Sequence, residues 1–462
     1  MLKGSFSMEV FQKMHSLFFV GAALVLSQIS ARLATSLGAP RLIGYLLMGV
    51  VLGPSLLNLV GEEHIQGEFR LLSEVALTVI AFSIGSAMEF SRLKKLLSQV
   101  LGITLFEAAG AFIFVLLCSL VFLPFLLPPA LISGSPQIVK GLSLLLAAVA
   151  IPTAPAAVLS LAHELKAKGP FTSIVLGVVA LDDVLAVLAF GFAFALAAPL
   201  LGGSPAGFTT SFLLPASHLL ISILLGFGLS LTALVLMSMF GSQDTLLGLI
   251  FGLILLAAGI AHSWNVSGLI PAMILGFVIF NFSSHGRGSE SRRVIENIEE
   301  PIFGVFFLIS GMHFDFSAME SGALIAVMLL LSRFAGKILG VYLGGKCISA
   351  EKNVRDYLGI TLLPSAGVAI GLILSAETLL HGSSPELANL IVSAVVGSTL
   401  INELVTPFLV RYAFLKVGEG KRLGRKTFSQ PEAYLGRLGG VVGHRKKIQS
   451  PHSLRAREHH LS

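Results

Sequence analysis

The sequence contains little charge and few cysteines for its length. Only 12% of its 462 residues are charged, and 55% are hydrophobic, whereas a soluble domain averages about 25% charged residues. These proportions exclude an ordinary soluble protein and favour the membrane class. The two cysteines, Cys118 and Cys347, fall in an apolar run and a loop, so we expect no disulfide framework.

Long apolar runs take up most of the remaining sequence. Runs of this length predict transmembrane helices, because irregular backbone cannot face lipid. We therefore predict an all-α polytopic membrane domain over residues 1–416 with about thirteen spans. Their expected limits are 9–31, 40–60, 71–90, 98–126, 139–162, 170–199, 211–239, 244–262, 266–283, 297–314, 320–345, 356–380 and 386–414.

Basic residues accumulate in alternate loops, apart from the loop near residues 241–244, which has none, and basic loops are cytoplasmic as a rule. The alternate loops between them carry only Arg70 and Lys140. This asymmetry predicts an external N-terminus and a cytoplasmic C-terminus. The basic loops contain Arg32 and Arg41; Arg92, Lys94 and Lys95; Lys166 and Lys168; Arg287, Arg292 and Arg293; and Lys346, Lys352 and Arg355.

The C-terminal tail, residues 417–462, differs from the rest of the chain. It is polar and basic, with the stretches "GKRLGRK" and "GHRKK", and it lacks apolar periodicity. We predict a disordered cytoplasmic extension that tunes activity or contacts membrane lipids, with an inert tail as the alternative. No glycine-rich strand–turn–helix unit follows the last span, so we expect no regulatory nucleotide domain, no cofactor and no nucleic-acid partner.

Two spans are interrupted near their centres by proline. Proline removes a backbone donor and breaks the preceding turn, which leaves polar backbone at mid-membrane depth. Both broken spans are fourth in a five-span unit, spans 2–6 and 9–13, and the two units run in opposite directions. Inverted repeats with crossing discontinuous helices are typical of secondary transporters, whereas the alternative is two ordinary proline kinks. The breaks contain Pro152, Thr153 and Pro155, and Pro364, Ser365 and Gly367.

Four charged residues within the predicted spans form a candidate site. Asp182 and Asp183 are adjacent in span six, next to the first broken span, and Arg333 and Lys337 share one face of span eleven. Intramembrane charges normally face the protein interior and pair with one another. Adjacent helical positions point about 100° apart, so one aspartate can pair with the lysine while the other faces a cavity.

Oxygen ligands suit a hard monovalent cation such as sodium. The two aspartates, the Thr153 hydroxyl and unwound carbonyls provide such ligands, and protons would compete for the same oxygens. The alternative is a structural ion-pair network without a ligand. Arg333 is a candidate residue of the cavity, and Glu107 and Glu403 also lie within predicted spans. One possibility is that these two glutamates tune the cavity or bind a second proton. The alternative is that each forms a hydrogen bond between packed helices.

Several of these stretches resemble the monovalent cation/proton antiporter superfamily, in particular bacterial sodium/proton antiporters of the NapA type. The resemblance covers roughly residues 10–415. It is carried by "LGAPRLIGYLLMGVVLGP", by "AIPTAPAAV" followed by "VALDDVLAV", and by "GKILGVYLGG". One stretch departs from the pattern: many relatives carry an Arg-Gly-Glu-like sequence where this chain has the uncharged "PSAGVAIG". The sequence does not identify the group that balances this helix break.

The resemblance implies a role for each residue of the site. It makes Asp183 the principal carrier of sodium or lithium and of protons, and it makes Asp182 the partner of Lys337. Paired aspartates imply electrogenic exchange of two protons per sodium. The resemblance also implies a homodimer in the bacterial inner membrane. In that architecture a core of spans 4–6 and 11–13 moves against a dimerisation domain.

Other functions fit less well. Intramembrane aspartyl proteases take their two aspartates from separate helices, so adjacent aspartates on one helix indicate that the protein is not such an enzyme. A sodium-coupled symporter of similar architecture would need a large cavity for an organic substrate. A potassium/proton antiporter of the same superfamily is the nearest alternative.

Overall fold

A computed structural model describes residues 16–421 of the chain apart from short gaps. The gaps fall at residues 61–63, 66, 133–136, 203–212, 240–242, 284–286, 314–315, 366, 377–378 and 381–383. Throughout the described residues the chain is helical, with no strand. This confirms the predicted all-α fold. Most of the predicted basic tail lies beyond residue 421 and therefore outside the described residues.

Each of the thirteen predicted spans coincides with a helix of the structure, except that spans five and twelve are each divided into two half-helices. Within the described part of the chain, eight helices are long and apolar enough to cross a membrane, and α2, α5 and α10 are shorter apolar helices. The largest boundary difference is at α11, which begins ten residues before the predicted span because its first turns are polar. Apart from a single turn at Pro129–Ile132, the helices are α1 Ser16–Ser36, α2 Arg41–Leu52, α3 Glu68–Ala87, α4 Phe90–Leu126, α5 Gln137–Val149, α6 Pro155–Glu164, α7 Pro170–Leu200, α8 Leu214–Met239, α9 Gln243–Ser263, α10 Leu269–Phe282, α11 Arg287–Met312, α12 Phe316–Cys347, α13 Lys352–Thr361, α14 Gly367–Ser375 and α15 Pro385–Val417.

The helices pack as two bundles. The core bundle consists of α4, α5, α6, α7, α12, α13, α14 and α15, which are spans 4–6 and 11–13. The scaffold bundle consists of α1, α2, α3 and α8–α11. Half-helix α6 is the core element that packs most broadly on the scaffold, since its alanines and leucine share a buried apolar cluster with α2, α3 and α11.

Helices α4 and α12 approach closely at a glycine contact. A Cβ added to Gly110 would lie 2.5 Å from the Gly336 carbonyl oxygen and 2.7 Å from the Gly340 Cα. Small residues at such crossings allow two backbones to touch. The contact brings Glu107 on α4 opposite Lys337 on α12, so glycine spacing on two helices determines which charged side chains meet.

The segment after α15 docks onto the start of α7. The Glu419 carboxylate accepts hydrogen bonds from the Phe171 N–H at 2.9 Å and the Thr172 N–H at 2.8 Å. The Lys421 N–H donates to the Leu165 carbonyl at 2.8 Å. A carboxylate at a helix N-terminus satisfies unpaired N–H groups and complements the helix dipole. The last described residues are thus attached to the helix that carries both aspartates.

Candidate functional site

The two helix breaks cross at the centre of the core bundle. Helix α5 ends at Val149 and α6 begins at Pro155, while α13 ends at Thr361 and α14 begins at Gly367. The Ala154 N–H donates to the Pro364 carbonyl at 2.9 Å, so the two extended segments are joined by a backbone hydrogen bond. Pro155 occupies the first turn of α6, where its missing N–H leaves no unpaired donor.

Arg333 satisfies the carbonyl groups that both breaks leave unpaired. Its guanidinium donates to Ala150 O at 2.9 Å, Pro152 O at 2.6 Å and Pro364 O at 3.2 Å, and it also contacts Leu363 O. The residue is only 4% exposed. A cation beside the carboxyl ends of α5 and α13 offsets their dipoles. Arg333, rather than a residue of "PSAGVAIG", therefore balances the second break.

Asn402 on α15 pairs the remaining backbone groups of the second break. Its amide nitrogen donates to Leu363 O at 3.0 Å, and its amide oxygen accepts from the Ser365 N–H at 3.0 Å. The Thr406 hydroxyl donates to the Asn402 carbonyl at 2.8 Å. The neighbouring Glu403 was predicted as a candidate residue of the cavity, whereas Asn402 was not. The polar residues Ser398 and Thr406, each four positions away on the same helical face, were the available signal.

Lys337 lies at the centre of a fully buried polar network. Its ammonium group contacts a Glu107 carboxylate oxygen, lies 3.2 Å from Asp182 Oδ2 and donates to the Thr153 hydroxyl at 2.8 Å. The Thr153 hydroxyl also contacts Asp182 Oδ2 and lies 3.2 Å from the Leu362 carbonyl oxygen. Lys337 thus has two carboxylate partners, one predicted and one that the sequence did not assign to it.

Asp183 is the carboxylate that this network leaves free. Among the described residues neither Asp183 Oδ1 nor Asp182 Oδ1 has a hydrogen-bond partner, but Asp182 Oδ2 contacts Lys337 and Thr153, whereas Asp183 has no such contact. The residue as a whole is half-buried, whereas Asp182 is fully buried. The structure therefore separates the two aspartates into one that is held by Lys337 and one that is available.

Glu403 lies apart from this network. It is half-buried on α15, and among the described residues no hydrogen bond or ion pair involves it. Within the same residues no group of three or more His, Cys, Asp or Glu side chains is arranged to hold a metal ion. The polar network, rather than a metal-ligand cluster, is therefore the candidate site.

A cavity of about 610 Å³ lies between the two bundles at the end that carries the basic loops. We call it the basic-side cavity. Thr172 and Leu176 of α7 line its wall. Asp183 lies on the same face of α7 as Leu176, two helical turns or about 10 Å further along the helix axis. The free carboxylate thus lies on the face of α7 that the cavity exposes.

Comparison with known families agrees with this arrangement. The family described as "Sodium/hydrogen exchanger, transmembrane" matches residues 21–412. The chain belongs to this family. The family lies within the cation/proton antiporter superfamily, and together with the apolar helices it identifies an integral membrane protein.

The curated relatives include the glutathione-regulated potassium-efflux system protein KefC of Salmonella typhi and of Salmonella arizonae. Each is 24% identical over 446 residues, which cover 93% of this chain and 66% of the relative. The chain therefore spans just under two thirds of the length of these relatives.

Solved structures share the fold. The sodium proton antiporter MjNhaP1 from Methanocaldococcus jannaschii, at pH 8, superposes with a TM-score of 0.62 at 17% identity, covering 87% of this chain and 98% of that one. An electron-microscopy structure of the same antiporter gives a TM-score of 0.67 at 16% identity, covering 88% and 98%. At this identity the likeness establishes the fold of this exchanger family member and nothing further.

Proposed function

We propose that the protein exchanges sodium or lithium for protons by alternating access, with Asp183 as the carrier. The observation that supports this most directly is the different state of the two aspartates. Asp182 is held by Lys337 and Thr153, whereas Asp183 is free on the cavity-facing side of α7. A free carboxylate binds either a proton or a cation, and that competition is the chemistry of antiport.

The surrounding charges favour the ionised form of Asp183 only when a cation is bound to it. Arg333 and Lys337 are two buried cations, and Glu107 and Asp182 are two buried carboxyl groups close to them. When both carboxyl groups are ionised, the net charge of these four groups is zero. An ionised Asp183 then adds an unbalanced charge in a medium of low dielectric constant, which a bound proton or monovalent cation removes.

Glu107 allows Asp182 to take part in the exchange as well. Because Lys337 has Glu107 as a second partner, it stays paired when Asp182 accepts a proton or turns toward a cation. Both aspartates can then be protonated without sodium, so two protons leave when one sodium ion binds. This arrangement makes the exchange electrogenic.

The test is dissipation of an imposed pH gradient in proteoliposomes, with sodium, lithium and potassium added in turn. We expect sodium and lithium to release protons from the wild type. Asp183→Asn should insert and fold but release none. Exchange at the wild-type rate in Asp183→Asn would contradict the assignment of Asp183.

Potassium is the second candidate cation, and the KefC relatives favour it. Their name describes potassium efflux, and their matched region covers 93% of this chain. The same experiment separates the two candidates. Proton release by potassium, with none by sodium or lithium, would replace the cation of the proposal while retaining Asp183.

We further propose a homodimer in the bacterial inner membrane, with the N-terminus outside and the basic-side cavity open to the cytoplasm. The loop asymmetry supports this orientation. The separation into a core and a scaffold bundle supports a scaffold that stays fixed in the dimer while the core moves.

The native Cys347 tests the orientation. It is exposed at the end of α12, directly after Lys346 of a basic loop. A membrane-impermeant maleimide should label this thiol in inside-out vesicles and leave it unlabelled in right-side-out vesicles. Cys347→Ser is the control for reaction at Cys118. Labelling of Cys347 from the outside would contradict the proposed orientation.

A further inference from the structure

An ion pair joins the core and scaffold bundles beside the basic-side cavity. His163, in the last turn of α6, has its Nδ1 atom 2.6 Å from the Glu299 Oε2 atom on α11. The Glu299 side chain is 5% exposed and the His163 side chain 30% exposed. A nearly buried carboxylate of the scaffold is therefore paired with a core histidine that solvent can reach.

Other contacts that cross between the bundles nearby use backbone groups. The Arg41 N–H of α2 donates to Glu164 Oε2 at 3.0 Å, and Arg411 of α15 donates to the Gly38 carbonyl at 2.8 Å. A backbone N–H or C=O keeps its charge distribution at every pH, so in these two contacts only the Glu164 carboxyl group can change its charge. The imidazole of a histidine is different, because it ordinarily changes charge between about pH 5 and 8.

Helix α6 connects this ion pair to the polar network. It has ten residues, about 15 Å at 1.5 Å per residue, and it begins at Pro155, directly after the segment that contains Thr153. Its other contacts include the apolar cluster with α2, α3 and α11. A contact that fixes the His163 end of α6 against the scaffold therefore also limits the movement of the segment that contains Thr153.

We propose that His163 and Glu299 form a proton-controlled latch that positions α6 against the scaffold and thereby sets the turnover of the exchanger. The latch rests on the proposed alternating-access exchange and adds a regulatory step to it. When the imidazole is protonated, the charged pair holds the core in the arrangement described here. When the imidazole is neutral, the contact weakens and the core moves more readily.

His163 lies at the carboxyl end of α6, and charged residues of both signs surround it. The basic residues lining the cavity around the latch are Arg41, Arg92, Lys166, Lys168 and Arg292. Its other acidic residues are Glu89, Glu164, Glu296 and Glu300, and Tyr45 also faces it.

Glu164 is the neighbour that most needs a separate control. Burial raises the pKa of its carboxyl group above the ordinary value, and the N–H of Arg41 opposes that shift. It contacts the scaffold one residue after His163. A pH effect on α6 could therefore arise at either residue, and Glu164→Gln distinguishes them.

The first experiment measures sodium–sodium or potassium–potassium exchange in proteoliposomes, with the cation that the wild type transports and equal pH on both sides. Competition by protons at Asp183 raises KM, whereas the latch acts on kcat. Between about pH 8 and pH 6, we expect the wild-type kcat to fall about fivefold, which corresponds to about 1 kcal/mol. His163→Gln and Glu299→Gln should each flatten the kcat profile and leave the pH dependence of KM unchanged.

Two control variants make the result specific. His262→Gln replaces an exposed histidine of α9 and should keep the wild-type profile. Glu164→Gln should keep the fall in kcat at low pH. An unchanged kcat profile in His163→Gln, or a profile flattened by Glu164→Gln alone, would overturn the latch.

A second experiment does not depend on transport. The difference in melting temperature between the wild type and His163→Gln in detergent should grow as the pH is lowered through the histidine range, and it should vanish in a Glu299→Gln background. If this holds while the wild type exchanges no cation, the pH-dependent contact between His163 and Glu299 stands, and its control of turnover fails together with the proposed function. A difference that is the same at all pH values would refute the latch even in an active exchanger.

Discussion

Lys337 is the residue on which the buried polar network depends. Its ammonium group contacts Glu107, Asp182 and Thr153, all of which are almost completely removed from solvent. Two carboxylates beside one cation tolerate burial only while the cation remains. The lysine therefore contributes both to stability and to the difference between Asp182 and Asp183.

Replacing Lys337 should destabilise the protein strongly. Removing one partner of a buried ion pair costs about 3–5 kcal/mol, because the other partner stays buried and uncompensated. Lys337→Ala should lower the melting temperature in detergent. Adding Glu107→Gln or Asp182→Asn to Lys337→Ala should recover part of that loss, since each removes a stranded carboxylate. Strictly additive losses would indicate that the three side chains do not interact.

The sequence predicted part of this site and could not predict the rest. The aspartate pair, Lys337 and the proline breaks were visible because charge and proline are rare in apolar spans. The contact between Glu107 and Lys337 was not visible in the sequence, since it depends on how closely α4 and α12 cross. Arg333 was expected near a cavity, but whether a long side chain ends in a cavity or on carbonyls depends on the three-dimensional path of both breaks.

At the scale of helices, the crossing of α4 and α12 holds Glu107 against Lys337. Gly110, Gly336 and Gly340 allow the two backbones to touch there. The pairing of His163 with Glu299 depends in the same way on packing, in this case of α6 on α11. Neither pairing follows from helical periodicity, which determines the faces of single helices but not their partners.

Gly110→Ala should separate α4 from α12. The added Cβ would lie 2.5 Å from a backbone oxygen of Gly336, so a helix must shift. We expect destabilisation of about 1–3 kcal/mol, as for other overpacked sites, and slower exchange. Gly228→Ala on α8 is the matched control, because no heavy atom lies within 4 Å of its added Cβ. Equal melting temperatures for the two variants would argue against the close crossing.

The segment that follows α15 gives a second prediction about helices. Glu419 caps the start of α7. Truncation after Lys421 keeps this cap and should preserve folding and transport. Truncation after Gly418 removes the cap and should destabilise the protein by about 0.5–2 kcal/mol, the usual effect of losing a cap. Thermal unfolding of the two truncated proteins checks this difference. A truncation after Lys421 that inserts but transports nothing would show that the basic tail is required for exchange.

At the scale of the whole molecule, alternating access requires the core and scaffold bundles to change their relative position. The contacts within each bundle are extensive, and the polar contacts between them are concentrated at α6, α15 and the basic-side cavity. This distribution suits movement of two rigid bodies. The resemblance to the antiporter superfamily anticipated the core bundle, because it grouped spans 4–6 and 11–13, whereas the inverted repeats grouped spans 2–6 and 9–13.

Electrogenic exchange predicts a response to voltage. If two protons move against one monovalent cation, one net charge crosses per cycle, and 100 mV changes its energy by about 2.3 kcal/mol. This corresponds to a shift of about fiftyfold in the equilibrium. An imposed potential alone should therefore drive cation movement in proteoliposomes without a starting pH or cation gradient. Movement that ignores the potential would indicate one-for-one exchange.

The central claim is that Asp183 exchanges a proton for a cation and that Asp182, which contacts Lys337 in the arrangement described here, supplies the second proton. Proton release on adding sodium to purified protein in weakly buffered detergent tests it most directly, with potassium as the second cation. We predict two protons per bound cation for the wild type, one for Asp182→Asn and none for Asp183→Asn. Undiminished release from Asp183→Asn would contradict the account.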